Sequence, residues 1–277
     1  MTVDGPAVEL RGLSAGAAPG ASRAVLRGID LRIQPREQVA VIGPSGAGKT
    51  SLLMAMACAV QPLGGSLRVL DRDPWAMSSA QRQALRAQLF LAPQVPPLPP
   101  RQRVVAAVLA GRLPSMGLMQ SVLQLWHPTQ AQLAQEALSR VDLADKLWDR
   151  VDRLSGGERQ RVGLARLLVS QAGLWLVDEP LSALDPARAG RVMDAMLDAA
   201  AREGRTLVCS LHQVAVARER FKRIVALRGG EVFYDGPSAG LDDAAVSQLY
   251  EGSADDDVDR AANQPPSAAA LPEAMCR

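Results

Sequence analysis

Eight consecutive residues, Gly43-Pro-Ser-Gly-Ala-Gly-Lys49-Thr50, restrict what this chain can fold into more than any other feature. They match the spacing G-x-x-x-x-G-K-[ST], with Gly46 as an added glycine. A short apolar run, Val39 to Ile42, precedes them, and a dense apolar stretch follows from Lys49 to about Val60. That context predicts a strand, a tight loop and a helix in direct succession. Glycines let backbone N–H groups curl around an anion without Cβ clashes. The helix that follows points the positive end of its dipole at the same place. The loop of Gly43, Pro44, Ser45, Gly46, Ala47, Gly48, Lys49 and Thr50, with Ser51 behind it, is therefore expected to hold the phosphates of a nucleoside triphosphate. Lys49 is expected to neutralise the outer phosphates, and the Thr50 hydroxyl to ligate Mg²⁺. A glycine-rich turn before a core helix would be the plainer reading. It leaves unexplained why one of only three lysines (Lys49, Lys146, Lys222) stands where the motif needs it.

The rest of the chain reads as α/β. Ile29, Leu31 and Ile33 alternate with Asp30 and Arg32, the pattern of a half-buried strand. Gly64-Gly65 opens a further strand pattern over Leu67 to Leu70. Leu174 to Val177 and Thr206 to Leu211 lack polar alternation, as expected of parallel strands covered on both faces. Ile224 to Leu227 and Glu231 to Tyr234 flank Gly229-Gly230 and read as a hairpin. Five prolines between Pro93 and Pro100 predict an exposed connector. Helical patterns with polar breaks then run from about Val104 to Val151, including a poorly periodic apolar stretch from Met116 to His127. This block reads as an all-helical insertion. After about Gly252 the sequence is mostly Ala, Asp, Pro and Ser, and a disordered tail is expected.

Composition narrows the function classes. Lys plus Arg total 31 and Asp plus Glu 29 in 277 residues, which gives no reason to expect nucleic acid as a partner. Cys58, Cys209 and Cys276 fit neither a zinc site nor a disulfide framework, and a reducing compartment is expected. The longest apolar run, Leu52 to Val60, is far short of the ~20 residues of a membrane span. No signal peptide is expected, and any membrane role must come through a partner.

Two further clusters carry chemistry. Asp178 and Glu179 end the apolar strand pattern, where open α/β sheets bind ligands. Asp178 is placed to hold Mg²⁺ through water and Glu179 to act as general base toward an attacking water. Ser155-Gly-Gly-Glu158 precedes a helix expected from about Arg159 to Ser170. Ser155 and Glu158 have capping-box spacing. The box does not explain Gly156-Gly157, which weaken a first turn but allow an anion to approach the backbone closely.

Leu154-Ser-Gly-Gly-Glu158 with Gln160 resembles the signature sequence of ATP-binding cassette (ABC) ATPases. The remaining motifs of that family follow in its order: Gln94 at the Q-loop, Asp178-Glu179 at the end of the Walker B strand, Ser182-Ala-Leu-Asp185 at the D-loop and His212 at the H-loop. The resemblance spans about Val8 to Gly236. It implies a P-loop NTPase cassette with a mainly parallel central sheet, an N-terminal antiparallel β subdomain and an inserted helical subdomain. Residues 1–251 would form the ATPase domain, with the helical subdomain at about 95–157 and a tail at 252–277. It also implies a head-to-tail homodimer, or pseudo-dimer, in which ATP lies between the phosphate loop of one copy and the signature of the other. Ser155, Gly156 and Gly157 would contact the γ-phosphate bound to the partner. Asp185 would link the two sites, Gln94 would sense Mg²⁺ and the attacking water, and His212 would hold the γ-phosphate and position Glu179. His127 has no family position and is expected to be structural.

The chain departs from the family at the base. It has no aromatic residue before Trp75 to stack on adenine, and Arg23 is offered in its place. Within the family, Val108 to Leu113 and Ala137 to Lys146 resemble the ATPase subunits of phosphonate importers. This implies a peripheral subunit on the cytoplasmic face of a membrane, working with transmembrane permease subunits and, indirectly, an extracytoplasmic solute-binding protein. A soluble accessory cassette of carbon–phosphorus lyase type, or a cassette for another solute, is the alternative.

Overall fold

The computed structural model describes residues 5–116 and 130–252. The stretch from 117 to 129, with His127, and the tail from 253 onward lie outside the described residues.

Strands fall into two sheets. β1 (Val8–Ala15), β2 (Leu26–Ile33) and β4 (Pro62–Val69) form an antiparallel sheet in the order β2-β1-β4. The second sheet contains β3 (Gln38–Ile42), β5 (Leu89–Ala92), β6 (Leu174–Asp178), β7 (Thr206–Ser210), β8 (Arg223–Arg228) and β9 (Glu231–Pro237), in the order β5-β6-β7-β3-β8-β9. Its first five strands are parallel, and β9 closes the edge as the antiparallel arm of the hairpin. The expected α/β class, with a mainly parallel central sheet and an antiparallel N-terminal unit, is what the structure has.

The period of two in these strands divides the interior into two cores. Val39, Val41, Leu174, Leu176, Val208 and Val225 face helix α1 (Lys49–Met56) and the antiparallel sheet. Ala40, Ile42, Trp175, Val177, Leu207 and Cys209 face the other way. There they meet α5 (Gly156–Leu168), α6 (Pro186–Glu203) and the helical block, whose described residues include α3 (Val104–Leu109) and α4 (Ala131–Ser139). The helical block thus shares a core with the central sheet. Helix α2 (Ser79–Arg86) lies on the first side, and α7 (Val214–Arg220) and α8 (Asp243–Tyr250) on the second. Cys58 and Cys209 are fully buried, and burial pushes the Cys58 thiol up to about 11 and that of Cys209 higher.

Local structure differs from the sequence expectation in three places. Helix α1 ends at Met56 rather than near Val60. Cys58 turns left-handed at φ 55, and the Cys58 and Ala59 N–H groups bond back to the Ala55 and Met54 carbonyls. That pattern is a Schellman stop, with cysteine in the place usually held by glycine. Strand β4 already begins at Pro62, so Gly64-Gly65 lies within it, at a register shift against β1. Helix α5 begins at Gly156 rather than Arg159. Ser155 Oγ accepts from the Glu158 N–H at 3.3 Å and the Glu158 carboxylate accepts from the Ser155 N–H at 2.8 Å. This reciprocal cap supplies the stabilisation that two first-turn glycines forgo.

Two predictions follow from this packing. Trp175 is fully buried on β6, and its indole N–H has no hydrogen-bond partner among the described residues. Trp175→Ala is expected to cost about 3–5 kcal/mol of unfolding free energy. Trp175→Phe should cost less than half as much, because it keeps most of the volume and removes an unpaired donor; urea titrations followed by circular dichroism compare them. The Glu158 carboxyl is held below its ordinary 4.5, first by the Ser155 N–H. A lowered acid contributes stability above its unfolded value and loses it as the pH falls through the folded value. Glu158→Gln should therefore be less stable than the parent at pH 7, with the gap in urea midpoint narrowing below pH ~4.

Candidate nucleotide-binding site

The phosphate loop leaves the C-terminal end of β3, which lies between β7 and β8. Its shape depends on glycine. Gly43 takes φ 146, and a Cβ there would come within 2.2 Å of the Leu227 carbonyl oxygen on β8. The loop can sit against the neighbouring strand only because that position has no side chain. Gly46 and Gly48 are also left-handed, at φ 78 and 103. Lys49 is 5% exposed, and its ammonium donates to the Gly43 carbonyl at 2.7 Å and the Pro44 carbonyl at 3.2 Å. The charge is thus drawn back across the mouth of its own loop.

Asp178 and Glu179 leave β6 toward this loop. Asp178 is 6% exposed, and both its oxygens are engaged. Thr50 Oγ1 donates to Oδ2 at 2.9 Å and Ser210 Oγ donates to Oδ1 at 2.6 Å. Ser210 Oγ in turn accepts from the Glu179 N–H at 3.0 Å. Glu179 itself is left-handed at φ 46, a conformation that costs a non-glycine residue roughly 1–2 kcal/mol. Its carboxylate is gripped from both sides: Gln94 Nε2 donates to Oε2 at 2.8 Å, and His212 Nε2 lies 2.5 Å from Oε1. Four segments far apart in sequence therefore meet: the phosphate loop, the proline-rich connector, the end of β6 and the loop after β7. The donor chemistry of Thr50 and Asp178, a hydroxyl beside a carboxylate, suits Mg²⁺, which takes one or two protein oxygens and the rest from phosphate and water.

Ser155, Gly156 and Gly157 do not join this cluster within one chain. Ser155 and Gly156 sit at the exposed tip of α5. A Cβ on Gly156 would meet nothing within 4 Å, whereas one on Gly157 would come within 2.7 Å of the Ala183 carbonyl oxygen. The second glycine thus admits the chain's own D-loop, and the first leaves a face open. Asp185 caps α6: Oδ1 accepts from the Arg188 N–H at 3.0 Å and Oδ2 pairs with the Arg188 guanidinium at 3.0 Å. The Arg188 N–H is the first cause of its lowered pKa. Arg23 is exposed, two residues before Val25, whose side chain would lie 3.6 Å from a Cβ on Gly48.

Two members of the site, Ser210 and Gln160, are given no contact by the sequence alone. Ser210 is the polar side chain that closes the apolar strand β7, two residues before His212, and that position is a readable signal. Gln160 was counted with the signature, but nothing in the sequence indicates its contacts. It is 5% exposed and reaches the Glu179 carbonyl and the D-loop.

Comparison with known proteins agrees with this geometry. The family model described as "ABC transporter" matches residues 26–182. The phosphonates import ATP-binding protein PhnC of Polaromonas sp. (strain JS666) is 56% identical over 235 residues, covering 84% of this chain and 85% of that protein. PhnC 2 of Albidiferax ferrireducens is 55% identical over 246 residues, 88% of each. Among solved structures, the dimeric ATP-binding cassette MJ0796 in a post-hydrolysis state, bound to ADP and Pi, superposes with a TM-score of 0.70 at 25% identity over 84% of this chain and 99% of that one. An ATP-binding subunit of an ABC transporter reaches 0.71 over 88% and 97%, and at 22% identity attests the fold alone. The chain belongs to the ABC transporter family, as one of its ATP-hydrolysing cassettes.

Proposed function

We propose that this chain is the ATP-hydrolysing motor subunit of a phosphonate importer and that it drives transport through a separate permease. The observation that carries the catalytic part is the two-sided hold on Glu179 beside the phosphate loop. The names of the PhnC relatives support phosphonate as the solute. Among the described residues no helix is long and apolar enough to cross a membrane, so in this reading the chain works peripherally, on the cytoplasmic face. Its partners are permease subunits and, through them, an extracytoplasmic solute-binding protein. Residues 1–251 are the ATPase domain, with about 95–157 the helical subdomain and 252–277 a tail.

In this reading the loop from Gly43 to Ser51 wraps the phosphates of ATP, and Lys49 exchanges its loop carbonyls for phosphate oxygens. Thr50 and Asp178, with Gln94 nearby, would hold Mg²⁺, which would supply positive charge beside the transferred phosphoryl group. Glu179 accepts a proton from the water whose oxygen bonds to the γ-phosphorus as the bond to the ADP oxygen breaks. Gln94 and His212 fix the plane of that carboxylate, and His212 also contacts the γ-phosphate. A second copy of the chain closes the site with Ser155, Gly156 and Gly157, and Asp185 links the two sites. The open face at Gly156 and the exposed cap at Ser155 support that arrangement.

Two substitutions separate binding from chemistry. Lys49→Ala should abolish detectable binding of a fluorescent ATP analogue. Glu179→Gln should bind it normally, lose at least ~100-fold in turnover, and form an ATP-dependent dimer seen by size-exclusion chromatography. Turnover at the parental rate in Glu179→Gln would remove the general-base assignment. For the transport role, the chain should co-purify from membranes with a permease, and a phosphonate with its binding protein should stimulate ATPase activity of the assembled complex. Recovery only as a soluble assembly would favour an accessory cassette.

A further inference from the structure

We infer that Gln160 is a positioning residue that couples the signature helix to the general base of its own chain. The inference rests on the reading above, in which Glu179 is that base and the tip of α5 faces the nucleotide of a second copy. Gln160 lies just over one helical turn beyond Ser155, with its amide directed inward at 5% exposure. Its Nε2 donates to the Glu179 carbonyl at 2.9 Å and lies 3.1 Å from Ser182 Oγ, and its Oε1 accepts from the Ala183 N–H at 3.1 Å. One side chain therefore holds both the residue after β6 and the first half of the D-loop.

Glu179 makes that contact consequential. A left-handed non-glycine residue persists only when its surroundings fix it. Ser210 fixes the N–H side of Glu179, and Gln160 and Ser182 fix the carbonyl side. The direction of the carboxylate toward Gln94 and His212 follows from that backbone setting. The same helix is tied at its next residue to the helical block, because Arg161 Nη1 donates to the Val141 and Asp142 carbonyls at 3.0 and 2.8 Å. Movement of α5, whether driven from its tip or from the helical block, is thus felt at Glu179 through Gln160.

The test compares Gln160→Ala and Gln160→Glu with the parent in the full-length chain. ATP turnover is read together with the affinity for a fluorescent ATP analogue. Gln160→Glu keeps an acceptor for the Ala183 N–H but removes the donor to Glu179, and it decides the matter if the alanine variant fails to fold. A small displacement of a catalytic group costs up to about 100-fold. We expect kcat to fall about 10–100-fold in both variants while ATP affinity stays within about twofold. The dependence of rate on ATP concentration should also lose cooperativity. Parental kcat in either folded variant overturns the inference, as does a fall in kcat matched by an equal loss of ATP affinity. Glu179→Gln is measured beside them. If it turns over ATP normally, the base assignment fails; if it is inactive while Gln160→Glu has parental kcat, only the coupling fails.

Discussion

Asp178 is a carboxylate at 6% exposure at the end of a strand whose other residues are wholly apolar. Burial of a charge is tolerable only when its lone pairs are satisfied. Here two hydroxyls do so, Thr50 from the first turn of α1 and Ser210 from the last position of β7. This three-membered link ties the phosphate-loop helix to two central strands, and everything else at the site is placed relative to it. Ser210 passes the constraint on to the Glu179 N–H, and Glu179 to Gln94 and His212. Thr50, Asp178, Ser210, Glu179, Gln94 and His212 thus share one connected polar framework, anchored where β6 and β7 end.

Helix α5 has a comparable role on the other side. Its capped tip is exposed, its body packs in the core shared by the central sheet and the helical block, and two adjacent side chains reach in different directions. Gln160 faces the Glu179 carbonyl and Arg161 the turn that follows α4. Burial, and then the nearby Arg188 charge, lower the pKa of Arg161, and its guanidinium is held by two backbone carbonyls. Such contacts depend on geometry and little on ionic strength.

Much of this was legible in the sequence, for identifiable reasons. The phosphate loop could be read because anion binding by backbone N–H groups fixes both glycine spacing and the flanking elements. The buried strands could be read because a doubly covered strand leaves no room for polar alternation. Gln94, Asp178, Glu179 and His212 were named, and the structure brings all four together. The end of α1 is not legible, because apolar content continues past Met56 while the chain turns at Cys58, and cysteine is a poor sign of a left-handed stop. The start of α5 is hidden by Gly156-Gly157, whose low helix propensity is outweighed by the reciprocal cap of Ser155 and Glu158. The contacts of Gln160 could not be read at all, since they join residues whose proximity exists only after the sheet has formed.

The two signature glycines also differ in what they permit chemically. A side chain at Gly157 would collide with the D-loop, but one at Gly156 would enter open space. The thiols of Cys58 and Cys209 are buried and, with raised pKa values, poor nucleophiles. A cysteine introduced at Gly156, with Cys276 replaced, therefore offers a single reactive handle at the edge where a second copy would arrive. A fluorophore or cross-linker attached there would report on closure between copies without passing through the interior of either.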